Sequence, residues 1–128
     1  MRVMHYRGWN RVRVLNLSDL RESKSAVFAA RFVEIETTHG YLEHSISHCS
    51  RHMELSDALE RKPKAPIVCA WGVSSKLDPL INRWMRTIAG QRLRGLSKPG
   101  ADGKYLHPLP ALQVNKLMWV DQMVKHLA

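Results

Sequence analysis

The chain of 128 residues has only two cysteines, Cys49 and Cys69. That is too few for a disulfide framework. No run of about 18 apolar residues occurs, which argues against a membrane-spanning helix. The opening stretch M-R-V-M-H-Y-R-G-W-N-R lacks the apolar centre of a secretory signal, so a cytoplasmic protein is expected. No internal repeat, low-complexity tract or linker is found. The segment G-V-S-S-K at 72–76 lacks the first glycine and the length of a phosphate-binding P-loop, which excludes Walker-type binding. Acidic residues are also scarce: 11 against 20 Lys and Arg, for a net charge of +9 and a pI near 10.1.

An apolar share of 45% with 24% charged residues suits one globular domain spanning 1–128. The basic excess favours nucleic acid, a nucleotide or another polyanion as partner. The plainer reading is a basic, soluble surface. Lysines and arginines are spread along the chain rather than confined to a tail, which points to a folded basic face.

Three stretches read as strands. Val12 to Leu17 alternates apolar residues with Arg13 and Asn16. Ile67 to Trp71 is a continuous apolar run bounded by Pro66 and Gly72, as suits a strand buried on both faces. Arg92 to Leu96 is a weaker third. Helical spacing predicts a helix from Ser25 to about Thr38, stopped by Gly40, and a second from about Arg51 to Arg61. A third starts near Asp78 with Pro79 in its first turn, its stripe being Leu80, Ile81, Trp84, Met85 and Ile88. The last starts near Gln113. Residues 1–11 read as a short helix or a loose arm. The two prolines of His107-Pro108-Leu109-Pro110 forbid regular helix there.

Alternating elements imply an α/β fold: a small three-layer α/β/α sandwich with a short, mainly parallel, Rossmann-like sheet of about three strands. A sheet that small leaves edges open to a hidden strand, a covering helix or loop, or a homodimer partner.

His44, His48 and His52 are spaced by four around Cys49. One helix would align the three imidazoles for a metal. Ser45, Ser47 and Ser50 instead suggest a polar loop before a helix, and no second ligand cluster supports zinc. Neither metal nor cofactor is expected.

Open α/β sheets bind ligands beyond the carboxyl ends of their strands. Asn16, Ser18, Asp19 and Arg21 follow the first strand. Asp19 suits a base or a water-positioning group, and Arg21 a phosphate fork. Ser18 and Asp19 equally suit turn and capping chemistry. After the second strand, Trp71 offers a stacking face and Gly72 a close backbone approach. Ser74 and Ser75 precede a helix start that favours an anion. Lys98 follows the third strand. His107 suits a donor to phosphate or to a leaving base. The bland alternatives are a core tryptophan with a turn glycine, and a structural histidine.

The stretches W-N-R-V-R-V-L-N-L-S-D-L-R, C-A-W-G, G-L-S-K-P-G and Y-L-H-P-L-P, taken in this order, resemble the domain-of-unknown-function 1643 family. The match runs from about Gly8 to Pro110. The resemblance implies a small bacterial or phage α/β protein without assigned activity. The family's N-terminal strand, with its Asn-Pro-Ser-like end, has no counterpart here. The resemblance therefore implies a shortened member with an open sheet edge. More distantly the layout is similar to uracil-DNA glycosylases, of whose motifs only His107-Pro108 is present.

Three functions follow as expectations. The first is binding of a nucleotide or nucleic acid at the sheet's carboxyl edge. The second is a nucleobase or nucleoside hydrolase, with Asp19 positioning water and His107 stabilising the leaving group. The third is a non-enzymatic interaction factor of phage or mobile-element origin.

Overall fold

The apolar stripe Leu80, Ile81, Trp84 and Ile88 is buried in the structure, a computed structural model that describes residues 2–108 and 112–128. Its helix, α4, spans Asp78–Thr87, with Pro79 in the first turn. Burying a side chain such as Leu80 from water stabilises by about 2 kcal/mol. The other helices are α1 (Arg2–Arg7), α2 (Ser25–His39), α3 (His52–Glu60) and α5 (Gln113–His126). Short 3-10 turns at Cys49–Arg51 and Ser75–Leu77 lead into α3 and α4. The expected helices all form, and α2 ends at Gly40, whose N–H reaches back to the Ile35 carbonyl. Leu109 and Pro110, which close the expected proline-rich stretch, lie outside the described residues.

The strands are shorter than expected. β1 (Ile67–Val68) and β2 (Leu93–Arg94) pair in parallel, Ile67 opposite Leu93 and Val68 opposite Arg94. This makes a small mixed α/β protein. Val12 to Leu17 forms no strand. Val12 is 53% and Val14 74% exposed. An alternating pattern becomes a strand only where a partner takes its backbone groups and a core takes its apolar face, and Val12 and Val14 have no such cover.

The chain folds as two compact units. One holds residues 15–65 and 75–89, with α2, α3 and α4. Its buried apolar residues are Ala29 and Phe32 of α2, Ile46, Leu55 of α3, and the α4 stripe. The other gathers residues 1–14, 66–74 and 90–128, with the sheet, α1 and α5. Here α1 packs on α5, and Cys69, Trp119 and Met123 are buried. The Trp119 indole N–H donates to the Leu106 carbonyl at 3.0 Å.

Beyond the sheet, residues 97–107 fold back on themselves. Tyr105 makes antiparallel bridges with both Gly72 and Ser97. The Gly72 N–H donates to the Tyr105 carbonyl at 2.9 Å, and the Lys98 N–H to that of Lys104 at 2.8 Å. Gly95 makes this closure possible. A Cβ there would stand 2.7 Å from the Cys69 carbonyl oxygen and nearer still to the Tyr105 ring, and backbone cannot give way cheaply. Gly95→Ala is therefore expected to destabilise by roughly 2 kcal/mol or more, as overpacked cores do. A chemical-denaturation midpoint checks this, and an unchanged midpoint would be the contrary result.

Among the described residues no helix is long and apolar enough to cross a membrane.

Candidate nucleic-acid interface

The ten residues singled out from the sequence fall in both units. Trp71, Gly72, Ser74, Lys98 and His107 belong to the sheet-bearing unit; Asn16, Ser18, Asp19, Arg21 and Ser75 belong to the helical one.

In the sheet-bearing unit the fold brings several together. Parallel pairing sends the chain out of β1 and β2 at the same edge, so Trp71-Gly72 and Ser97-Lys98 leave side by side. Tyr105 sits between them through its two bridges. The Trp71 indole N–H donates to the Gly103 carbonyl at 2.8 Å. Its ring meets Tyr105 edge-on, with centroids 5.4 Å apart. Gly72 adopts φ +92°, and the Cβ of His107 is 3.8 Å from where a Cβ on Gly72 would lie. The glycine is thus required by its backbone conformation. Ser74 and Lys98 are exposed.

Burial sets the chemistry of this edge. Desolvation raises the Cys69 thiol to about 11 and also moves the Tyr105 phenol upward, with the Cys69 and Asp102 charges as smaller causes. Cys69 thus stays a neutral packing residue at neutral pH. Between pH 9 and 11 an unfolded chain loses this proton while the folded chain keeps it, so folding stability falls as pH rises. The loss attributable to Cys69 is about 2 kcal/mol across that window. Replacing Cys69 with Ala is expected to flatten the fall in melting temperature between pH 9 and 11. An equally steep fall in the variant would contradict this.

In the helical unit, Ser18 is spent on structure. Its hydroxyl oxygen accepts the Leu20 N–H at 3.1 Å and lies 2.7 Å from His44 Nδ1. His44 is 1% exposed, and its Nε2 lies 2.6 Å from Glu36 Oε1. The carboxylate can only accept, so Nε2 carries a proton, and in the neutral ring Ser18 donates to Nδ1. Arg83 donates to the same Glu36 oxygen. Ser45 donates to the Leu17 carbonyl at 2.6 Å, and the Trp84 indole N–H reaches that carbonyl and Ser45 Oγ at 3.0 and 3.1 Å.

The serine–histidine–carboxylate order resembles a nucleophile relay in outline only. Ser18 is 7% exposed, the Leu20 N–H beside it is taken by its own oxygen, and the Asp19 N–H donates to the His44 carbonyl. This leaves neither of those N–H groups for a developing oxyanion. Asp19 is exposed and its carboxylate pairs with Arg51 at 2.6 Å. Arg51 also grips Glu54, and these hydrogen bonds and charges, Glu54 foremost, raise its pKa against a smaller opposing effect of burial. Asn16, Arg21 and Ser75 are exposed.

The segment 44–48, expected as a polar loop, is largely buried. Of the spaced histidines, His44 serves this network and His48 bonds Ser50. Among the described residues no group of three or more His, Cys, Asp or Glu could hold a metal ion.

Sequence reasoning missed where the charge lies. The sheet-bearing unit has ten Lys and Arg against two acidic residues, Asp102 and Asp121, a net of +8. The helical unit has ten against nine, a net of +1, and together these make the chain's +9. Arg2, Arg11, Arg13, Arg92, Arg94 and Lys98 are exposed and in no ion pair among the described residues. Of the unit's two acids, Asp121 pairs with Lys125 at 2.8 Å. Arg94 points outward from β2, where Leu93 turns inward. Tyr6, 67% exposed, stands among the N-terminal arginines.

No protein-family model, curated protein or solved structure matches the chain.

Proposed function

We propose that the chain binds nucleic acid through its sheet-bearing unit. The carrying observation is the concentration of charge: +8 on that unit against +1 on the other. Phosphate neutralisation by Lys and Arg is the main source of non-specific affinity for nucleic acid. Six exposed cations without carboxylate partners have nothing to give up before meeting phosphate. Tyr6 among them supplies a ring on which a base can stack. A polymer suits this pattern better than a single nucleotide. The cations are distributed, and Tyr105 already fills the space against Gly95 where a small ligand would approach the sheet.

The parallel pairing of β1 with β2 also supports the finer reading of the fold, a minimal Rossmann-like three-layer sandwich. The ordered motifs named above support membership of the domain-of-unknown-function 1643 family in the same way.

Fluorescence anisotropy with labelled single- and double-stranded 20-mers tests the function. Binding in the micromolar range at 50 mM salt, lost by orders of magnitude at 200 mM, is the expected result. Absence of binding at 50 mM salt would reject it.

A further inference from the structure

The helical unit contains a second feature that nucleic-acid binding by the other unit does not use. An open recess of about 320 Å³ is walled by His48, Cys49, Arg83, Arg86 and Thr87 together with Leu42 and Ser47. No carboxylate lines it. Its volume lies at the lower end of the range for small-molecule sites.

The donors around the recess can be assigned one by one. The His48 Nδ1 faces the Ser50 backbone N–H at 3.2 Å and the Ser50 hydroxyl at 2.7 Å. The N–H can only donate, so in the neutral ring Nδ1 is the acceptor and Nε2 carries the proton. That Nε2 lies 3.9 Å from the Cys49 sulfur, a weak contact that a better acceptor displaces. Arg86 is exposed and in no ion pair among the described residues. Arg83 commits one Nη to Glu36 and keeps further N–H donors. The Thr87 hydroxyl is occupied, within reach of the Ser47 and Arg83 carbonyls. The free donors are therefore all N–H groups, two of them on guanidinium ions.

We propose that this recess is a binding site for the phosphate group of a small ligand. The unpaired Arg86 guanidinium supplies charge, and it and the Arg83 N–H groups not given to Glu36 offer the fork geometry that phosphate oxygens accept. The His48 Nε2–H supplies a third donor. Free phosphate and a small phosphomonoester share this chemistry, and the volume admits either. The site stands whether or not the other unit binds nucleic acid.

Cys49 reports on occupancy because it lines the recess and is exposed, while Cys69 is buried and serves as the internal reference. The full chain is alkylated with iodoacetamide, an uncharged reagent, and each cysteine is followed by mass spectrometry. Ionic strength is held constant with chloride. Millimolar inorganic phosphate or ribose 5-phosphate is expected to slow Cys49 labelling at least threefold. Arg86→Gln is expected to abolish that protection while the far-UV circular dichroism, to which the helical unit contributes α2, α3 and α4, stays unchanged and Cys69 stays unlabelled, which together show both units still folded. Half-protection at lower ribose 5-phosphate than inorganic phosphate assigns the site to a phosphomonoester, and equal protection assigns it to free phosphate. Labelling unaffected by either anion up to 50 mM, or protection unchanged in Arg86→Gln, overturns the proposal.

Discussion

Exchanging Arg92 and Arg94 together for glutamate is expected to weaken nucleic-acid binding at least tenfold at 50 mM salt. Both side chains are exposed and in no ion pair among the described residues. Their replacement therefore removes no carboxylate partner, and only Leu93 between them faces inward. Each lost phosphate contact should reduce the magnitude of the salt slope by about one, and each new carboxylate repels the polyanion as well. The matched control is Lys62→Glu with Lys64→Glu. Those two lysines are also exposed but belong to the nearly neutral helical unit. The control changes net charge by the same amount and is expected to alter affinity less than threefold. Equal losses in the two variants would show that net charge alone governs binding and would remove the interface from the sheet-bearing unit.

The second large effect concerns stability. Glu36 accepts from both His44 and Arg83, with 15% of its side chain exposed. Glu36→Ala strands a donor of a histidine that is 1% exposed, and leaves Arg83, 24% exposed, without its partner. Removing one member of a buried hydrogen-bonded charge network costs about 3 kcal/mol. For a chain of this length that lowers the melting temperature by roughly 10 °C. Asp19→Ala removes a pair whose carboxylate side chain is 60% exposed, and solvent screening holds its cost below about 1 kcal/mol. Calorimetry of the two variants checks the ranking. A larger loss in Asp19→Ala would mean that the buried network does not hold the helical unit together.

These two effects differ in how much of each is visible in sequence. The helices were legible because an apolar stripe is a local signal. Leu80, Ile81, Trp84 and Ile88 recur at helical spacing, and all four are buried, three within α4 and Ile88 at its C-cap. The strand at Val12–Leu17 misled because alternation is necessary for a half-buried strand but not sufficient. Whether a partner exists is a long-range fact. The Ser45–Ser47 segment misled in the opposite direction. Serine normally signals solvent, yet these two hydroxyls are buried because the Leu17 carbonyl, the Trp84 indole and each other satisfy them. A buried tryptophan needs an acceptor for its N–H. Trp84 on the apolar stripe was the one local sign that a polar group lay inside.

The placement of the singled-out residues was legible in part. Trp71, Gly72 and Lys98 do gather at one edge of a parallel sheet, as strand-end reasoning expected. Tyr105, which occupies that edge, left no mark in the pattern because its bridges join residues far apart in the chain. The charge partition was hidden for a similar reason. Lysines and arginines divide equally between the units, ten and ten, but nine of the eleven acids lie in the helical unit, so the net charge falls on a unit assembled from three separate segments.

The most direct test of the interface is the slope of log affinity against log salt for duplex DNA. If the six exposed cations contact phosphate, the slope should be about −5 in the native chain. It should flatten by about two in Arg92→Glu with Arg94→Glu and stay unchanged in Lys62→Glu with Lys64→Glu. A native slope shallower than −1, or flattening by the lysine pair rather than the arginine pair, would contradict the account.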